Sequence, residues 1–259
     1  MTWLTMSGCA SNPVTEVPAG PVQPGAASEV PEVLPDLTAY PPPAPREFRA
    51  AWVATVANID WPSRKGLSTT LQHMEMRAML DRAVALKLNA IILQVRPSAD
   101  ALYVSDLEPW SEYLSGVQGQ APSPLYDPLA LWISEAHARG LELHAWFNPF
   151  RVRQGEAKSA AAANHLSQTR PQWVKTYGNQ LWMDPGEPGA ANHTVAVILD
   201  VLKRYDVDGI HMDDYFYPYP IPQGDDPKTE LDFPDQATWQ RYLEAGGPLA
   251  RAAWRRSNV

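Results

Sequence analysis

Two adjacent carboxylates, Asp213 and Asp214, follow an apolar-rich stretch and lead directly into tyrosines spaced by prolines, in "DGIHMDDYFYPYP" at 208–220. A carboxylate at the end of a strand can act as a nucleophile, as a base or as a stabiliser of a cationic transition state. Side chains alternate along a strand, so His211 and Asp213 should share one side of it. We therefore expect Asp213 to point into a site. For either aspartate, the alternative is that it caps the next element or pairs with Arg96.

The elements that must position these residues are short apolar runs that alternate with helical periods from residue 47 onward. A nearly continuous apolar run such as "NAIILQVRP" is typical of a strand buried on both faces of a parallel sheet. The pattern predicts strands at 48–56, 89–97, 141–150 and 207–214, with helices between them at 68–88, 128–139 and 192–205.

The helices carry their own signals. Asp127 is a suitable N-cap for the second helix, Pro128 fits its first position, and Gly140 falls just past its end. The residues expected to share one apolar face are Met76, Met79, Leu80 and Ala83 in the first helix, Leu129, Trp132, Ile133 and Ala136 in the second, and Val195, Ile198, Leu199 and Leu202 in the third.

This alternation of strands and helices predicts an α/β fold with a parallel sheet, which is either a doubly wound open sheet or a (β/α)8 barrel of the TIM type. The loop after the first strand, "ANIDWPSRKG", has no glycine-rich phosphate cradle. We therefore favour the barrel. Only about its first four β/α units are predicted here, as if the chain were truncated at its C-terminus.

In either architecture, the functional residues lie at the carboxyl ends of the parallel strands. The predicted strand ends read "NIDWP", "QVRPSAD", "WFNPFR" and "MDDYFYP", so each carries polar groups beside aromatic rings. Flat rings stack on the apolar faces of sugars, while Arg96, Asp100 and Asn148 can hydrogen-bond to hydroxyl groups. The combination favours a carbohydrate site.

Several segments together resemble the glycosyl-hydrolase-like 10 family: "FRAAWVATVANIDWPS", "NAIILQVRPSADALY", "DPLALWISEAHARGLELHAWFNPFR" and "VDGIHMDDYFYP". That family consists of bacterial (β/α)8 proteins and includes outer-membrane lipoproteins that act on peptidoglycan glycan strands. The resemblance implies a glycosidase with catalytic carboxylates at Asp213 and Asp214. G-x-H-x-D at 209–213 is also similar in spacing to the α-amylase superfamily's G-x-R-x-D, which would make His211 the neighbour that orients Asp213. The expected substrate-binding residues are Trp52, Asn58, Asp60, Arg96, Asp100, Trp146, Asn148, Arg151, His211 and Tyr215.

Glycoside hydrolysis usually needs two carboxyl groups, about 5 to 5.5 Å apart for retention of configuration or about 6.5 to 9.5 Å apart for inversion. Adjacent strand residues point in opposite directions, so Asp213 and Asp214 need not converge on one bond. We expect the acid partner on a later strand, beyond Val259.

The N-terminal region has a different character. "MSGC" at 6–9 resembles a bacterial lipobox, which implies lipidation of Cys9 and makes 1–9 the remnant of a signal whose start lies upstream. The alternative is a chance cysteine. Residues 10–46 are rich in proline and too poor in aromatics to fold, so they predict a tether for a domain at 47–259. The expected location is the periplasmic face of the cell envelope, at the outer membrane.

The net charge and the positions of the histidines argue against two other classes of function. A net charge of −8 argues against nucleic acid as a partner. His211, Asp213 and Asp214 lie close enough together to suggest a metal-dependent hydrolase, but the first strand lacks the histidines typical of such barrels, so we predict no metal and no cofactor. The expected partner is a cell-wall polysaccharide bound by a monomer. A non-catalytic, envelope-anchored glycan-binding protein remains the alternative to an enzyme.

Overall fold

The computed structural model describes residues 47–224 and 226–259. The predicted lipidation residue Cys9, the segment 1–9 and the tether 10–46 lie outside the described residues, so those interpretations stay predictions. No helix within the described part of the chain is long and apolar enough to cross a membrane.

Strands and helices alternate over the first half of the described chain and then give way to shorter elements. In chain order they are β1 (Ala50–Val53), a 3₁₀ turn (Val56–Asn58), α1 (Thr69–Ala85), β2 (Ala90–Arg96), α2 (Glu112–Ser115), α3 (Pro128–His137), β3 (Glu142–Phe147), β4 (Arg151–Arg153), α4 (Leu166–Thr169), a second 3₁₀ turn (Pro171–Trp173), β5 (Val174–Tyr177), β6 (Gln180–Met183), α5 (Pro188–Arg204), β7 (Gly209–Met212), β8 (Pro222–Gln223), β9 (Asp226–Glu230), α6 (Gln236–Glu244) and α7 (Arg251–Ser257).

The main sheet has four parallel strands in the order β1-β2-β3-β7. These are the four strands predicted from the sequence, and each pairs with its predecessor among them. A doubly wound sheet reverses its strand order at a switch point, whereas a barrel adds each strand beside the last one. The order therefore confirms the predicted α/β class and is that of four consecutive units of a (β/α)8 barrel.

All three long helices cover the same face of this sheet. One apolar cluster joins Leu93 of β2 and Leu143 of β3 to Leu80 of α1, Trp132 of α3 and Val197 of α5. In a (β/α)8 barrel the helices form an outer ring, so the face away from them corresponds to the barrel interior. On that opposite face, at matching heights, lie Gln94, Trp146 and His211.

The helix signals read from the sequence are confirmed for α1 and α3. Asp127 caps α3 by accepting a hydrogen bond from the Ala130 amide at 3.1 Å, and Gly140 adopts a φ of 71° just past the helix end. The residues buried as expected are Met76, Leu80 and Ala83 in α1, and Leu129, Trp132, Ile133 and Ala136 in α3.

The third helix differs from expectation in its packing. Of the four α5 residues expected to be buried, Ile198 is partly buried and packs against the core, whereas Val195, Leu199 and Leu202 are largely exposed. The buried positions are instead smaller residues, Ala190, Thr194, Val197 and Val201. Short side chains allow the helix to approach the sheet closely, and the larger residues then lie on the outer side.

A second sheet was not predicted. Between β3 and α5 the chain forms an antiparallel sheet in the order β4-β6-β5. A separate apolar cluster packs Trp182 of this sheet with Phe150 and Val152, and Tyr215 packs against it. The insertion thus lies next to the carboxyl end of β3 and supports the loop that follows β7.

Candidate active site

Asp213 is the first residue after β7 and accepts hydrogen bonds on both carboxylate oxygens. Its Oδ2 atom accepts from Asn148 Nδ2 at 2.7 Å and from Trp146 Nε1 at 3.2 Å. Its Oδ1 atom accepts from the Tyr215 backbone amide at 3.0 Å. All three partners are N–H donors, and together they fix the direction of the carboxylate. Among the described residues, no other carboxylate shares these donors.

Asn148 is fully buried and connects Asp213 to the centre of the sheet. Its Oδ1 atom accepts from Gln94 Nε2 at 2.5 Å and from Arg151 Nη1 at 3.2 Å. Sequence reasoning missed Gln94, although a lone amide in the apolar run of β2 was the available signal. The residues that hold Asp213 therefore come from β2, β3 and the start of β4.

Aromatic rings line the sheet face beside Asp213. The Trp52 ring centre lies 5.9 Å from that of Trp146 and 5.6 Å from that of His211. Trp52 is 61% exposed, whereas Trp146 is buried. Trp52 therefore lies against Trp146, whose indole N–H donates to Asp213, and the face of an indole is a surface on which a sugar ring can stack.

His211 belongs to the same wall. Burial lowers the pKa of its imidazole below the usual value of 6.5, although the charge of Asp213 acts in the opposite direction. The imidazole is therefore neutral at neutral pH. Its Nε2 atom is buried and has no hydrogen-bond partner among the described residues.

Arg151 and Tyr215 close the site on the side of the second sheet. The Arg151 guanidinium carbon lies 4.8 Å from the centre of the Tyr215 ring and 5.6 Å from that of Trp182. Burial lowers the pKa of Arg151, while the charge of Asp213 opposes this shift. Since Arg151 is itself buried, it supports the Tyr215 ring from behind rather than presenting its charge to solvent.

Asp214 lies apart from this arrangement. It is exposed, and its Oδ2 atom accepts a hydrogen bond from the Tyr219 hydroxyl at 2.5 Å. The structure shows neither a pairing with Arg96 nor a capping role. The two carboxylates therefore have different partners, in line with the alternation expected from the sequence.

Asn58 and Asp60 brace the loop between β1 and α1. Asn58 Nδ2 donates to the carbonyl oxygens of Pro62 and Tyr113, both at 2.8 Å. The Asp60 Oδ2 atom accepts from the Ala54 amide at 2.7 Å. These polar atoms hold the loop together, and the structure does not place them with Asp213.

Arg96 is fully buried. Its guanidinium forms two hydrogen bonds with Glu108, at 2.6 and 2.8 Å, and a third with the Asn148 carbonyl oxygen at 2.7 Å. Its partner Glu108 lies on the loop after β2 and encloses it, so direct contact between Arg96 and a substrate stays a prediction for which this structure shows no open path. Arg96 holds the backbone of Asn148.

Asp100 is also buried. Its carboxylate accepts from the Ser98 amide at 3.2 Å and from Gln118 Nε2 at 3.1 Å. Burial raises the pKa of Asp100 to about 7, even though the hydrogen bond from Gln118 acts to lower it. With 1% of its surface exposed, Asp100 braces the loop in this structure, and its contact with a substrate stays a prediction.

The chemistry available in this site is that of one oriented carboxylate beside aromatic rings. Such a carboxylate can stabilise positive charge on a sugar or attack its anomeric carbon. Across residues 47–224 and 226–259, no group of three or more His, Cys, Asp or Glu side chains is arranged to hold a metal ion.

Comparison with known proteins places the chain among glycosyl hydrolases by sequence. It is 47% identical over 216 residues to "Glycosyl hydrolase YngK" of Bacillus subtilis (strain 168), a match that covers 83% of this chain and 40% of that protein. It is 32% identical over 275 residues to "Glycosyl hydrolase DigH" of Escherichia coli (strain K12), covering 99% of this chain and 57% of that protein. The chain thus spans about half the length of the curated relatives it matches.

Similarity to solved structures is more distant. Alpha-L-fucosidase isoenzyme 2 from Paenibacillus thiaminolyticus aligns with a TM-score of 0.49 and 12% identity, over 82% of this chain and 28% of that one. The match to a sequence family is specific. The family model described as Glycosyl hydrolase-like 10 matches residues 47–259. On that match and on the sequence relatives, the chain belongs to the glycosyl hydrolase-like 10 family.

Proposed function

We propose that this chain is part of a glycoside hydrolase of the bacterial cell envelope, one that cleaves glycosidic bonds in a peptidoglycan-type glycan. The observation that carries the proposal is the Asp213 carboxylate, held by three N–H donors at the carboxyl end of the sheet beside the ring of Trp146. Family membership and the names of the two relatives support a glycosidase. The cell-wall substrate rests on the family resemblance and on the lipobox-like sequence around Cys9.

In this mechanism a sugar stacks on Trp52 with its anomeric carbon next to Asp213. As the glycosidic bond breaks, positive charge develops on the sugar ring, and the Asp213 carboxylate either stabilises that charge or forms a covalent bond to the anomeric carbon. Asn148 and Trp146 keep the carboxylate aimed at this position, so little reorganisation is needed during the reaction. We place the acid that protonates the leaving group on a later strand of the domain.

The test is a digestion of purified peptidoglycan glycan strands, with and without stem peptides, by the protein extended to the length of its relatives. Soluble sugar products, identified by mass spectrometry, are the expected result. Glycan binding without any release of products would contradict the enzyme proposal and favour an envelope-anchored glycan-binding protein. Products from an unrelated polysaccharide but none from either peptidoglycan substrate would contradict the cell-wall assignment.

A further inference from the structure

Gln94 is a fully buried amide in the centre of β2, where the neighbouring positions are apolar. Burying an amide in such a place is costly unless its hydrogen bonds are made. Its Oε1 atom accepts from the backbone amides of Thr55 and Val56, both at 2.9 Å. Its Nε2 atom donates to Asn148 Oδ1 at 2.5 Å.

The direction of the Gln94 amide follows from these partners. Two backbone N–H groups can be satisfied only by the oxygen of the amide, so the NH₂ group must face Asn148. Asn148 Oδ1 then receives N–H donors from both Gln94 and Arg151. With its oxygen committed in this way, the only group that Asn148 can present to Asp213 is its own NH₂.

The backbone after β1 therefore sets the hydrogen-bond direction at Asp213 through two side-chain amides. Asn148 and Trp146 both present N–H to Asp213 Oδ2. A proton on that oxygen would need an acceptor, and neither partner offers one in this arrangement. Both groups thus serve a carboxylate oxygen that accepts hydrogen bonds, which is the arrangement expected of a nucleophile or a charge stabiliser.

We infer that Gln94 is a positioning residue, which fixes the orientation of the Asn148 amide and thereby keeps the Asp213 carboxylate aimed into the site. The catalytic consequence rests on the proposed glycosidase function, whereas the hydrogen-bond direction can be tested without turnover. Gln94 does not contact the substrate in this account, and it acts only through Asn148.

The Gln94 side chain accepts hydrogen bonds from the loop after β1 and donates one to Asn148. One substitution separates these two roles. Gln94→Glu keeps an oxygen for the amides of Thr55 and Val56, so it preserves the bracing of the loop after β1. The same substitution removes the NH₂ group that faces Asn148. A purely structural role predicts a mild effect of this variant, whereas the positioning role predicts that the Asn148 amide loses its fixed direction.

A second buried glutamine supplies the matched control. Gln72 in α1 is 1% exposed, and its Nε2 atom donates to the Leu67 carbonyl oxygen at 2.8 Å while its Oε1 atom accepts from the Tyr126 hydroxyl. It has no contact with Asn148 or Asp213 among the described residues. Gln72→Glu therefore introduces a carboxylate at a comparably buried site with no connection to the carboxylate of interest.

The experiment follows the side-chain NH₂ resonances of Asn148 in the full chain by ¹H–¹⁵N NMR, with the assignment confirmed by Asn148→Ala. Gln94→Glu is expected to shift or broaden these signals, and Gln72→Glu is expected to leave them unchanged. In the protein extended to the length of its relatives, Gln94→Glu should lower kcat about tenfold or more with KM within about twofold.

Unchanged Asn148 signals in both Gln94→Glu and Gln94→Met would overturn the inference, because a buried glutamic acid can still donate its O–H whereas methionine has no donor; equal shifts in the matched Gln94 and Gln72 variants would overturn it as well. Because the NMR readout needs no substrate, it separates failure of this inference from failure of the glycosidase proposal. If Gln94→Glu does not fold, Gln94→Met provides the same loss of the NH₂ donor, and the same comparison with Gln72→Met decides the question.

Discussion

At the scale of single residues, the account depends on how the Asp213 carboxylate is held. Its two side-chain donors differ in hydrogen-bond length. Asn148, which is fully buried, donates at 2.7 Å, and Trp146, whose ring also forms part of the aromatic wall, donates at 3.2 Å. Hydrogen bonds to a charged group contribute about 1.5 to 3 kcal/mol each. Removing either donor should therefore be measurable in the rate of the chemical step.

Trp146→Phe removes the indole N–H and keeps an aromatic ring in the wall. We expect kcat to fall about tenfold, because one charge-assisted hydrogen bond to Asp213 is lost. Trp132→Phe in α3 is the matched control, since Trp132 is buried and its Nε1 atom has no partner within the described residues. Equal reductions of kcat in the two variants would show that the Trp146 hydrogen bond is unimportant.

Trp52→Ala tests the aromatic wall. Stacking of a sugar on an indole contributes about 1 kcal/mol or more, so glycan binding measured by calorimetry should weaken about five- to tenfold. Phe48→Ala is the control, since Phe48 is also an exposed ring but lies just before β1, against His144. Unchanged affinity in Trp52→Ala would remove Trp52 from the site.

At the scale of elements, a buried ionic cluster joins β2, the loop after it and α5. Glu108 on the loop accepts hydrogen bonds from Arg96 of β2 and lies 2.9 Å from His193 Nε2 of α5. Arg96 in turn donates to the carbonyl oxygens of Asn148 and Pro149. The cluster thus fixes the backbone at the end of β3, from which the Asn148 side chain reaches Asp213.

Glu108→Gln should cost about 3 to 5 kcal/mol in the free energy of unfolding, because it leaves the Arg96 charge buried without a counterion. Urea denaturation with near-ultraviolet circular dichroism would measure this loss. Asp81→Asn is a control, since Asp81 pairs with Arg139 through an exposed carboxylate and should cost about 1 kcal/mol or less. A loss for Glu108→Gln as small as that of the control would contradict a structural role for the buried cluster.

The stability that the Arg96–Glu108 pair contributes should fall as the pH is lowered. Burial acts to raise the pKa of Glu108, but the charge of Arg96 and the hydrogen bonds from His193 and Arg96 prevail and lower it to about 2. The folded-state pKa is then below the unfolded value of about 4.5. The stabilisation is complete above pH 4.5 and is lost as the pH falls from there toward 2. Glu108→Gln should flatten this acid limb of stability.

The sequence predicted what depends on local periodicity. The strand period of two placed His211 and Asp213 on one side of β7, and cap residues such as Asp127 marked the start of α3. It could not predict that Glu108 encloses Arg96, because that contact depends on the path of a loop with no repeating pattern. The antiparallel sheet β4-β6-β5 was not predicted either, because its strands are too short to show a repeating pattern.

At the scale of the whole molecule, the helices cover one face of the parallel sheet and the other face carries the polar and aromatic residues of the site. This division follows from a barrel-type arrangement, in which the strand ends converge and the outer face is buried by helices. The family match extends over the same residues, 47–259. Lipidation of Cys9 is the proposed means by which the protein is held at the cell envelope.

Cys9→Ser tests the anchor. When the full-length protein is produced in bacterial cells, the wild type should partition into the detergent phase of a Triton X-114 extract, because a lipidated N-terminus carries acyl chains. The Cys9→Ser variant should remain in the aqueous phase, and Ser11→Ala, two residues further on, should behave like the wild type. Detergent partitioning of Cys9→Ser equal to that of the wild type would exclude lipidation at this cysteine.

The most direct measurement compares Asp213→Asn with Asp214→Asn in the protein extended to the length of its relatives. The two carboxylates are adjacent, but only Asp213 receives the three N–H donors of the site. The account predicts that Asp213→Asn lowers the release of sugar products about a thousandfold or more while glycan binding is retained, and that Asp214→Asn stays within about tenfold of the wild type. Wild-type turnover in Asp213→Asn would contradict the assignment of the catalytic carboxylate.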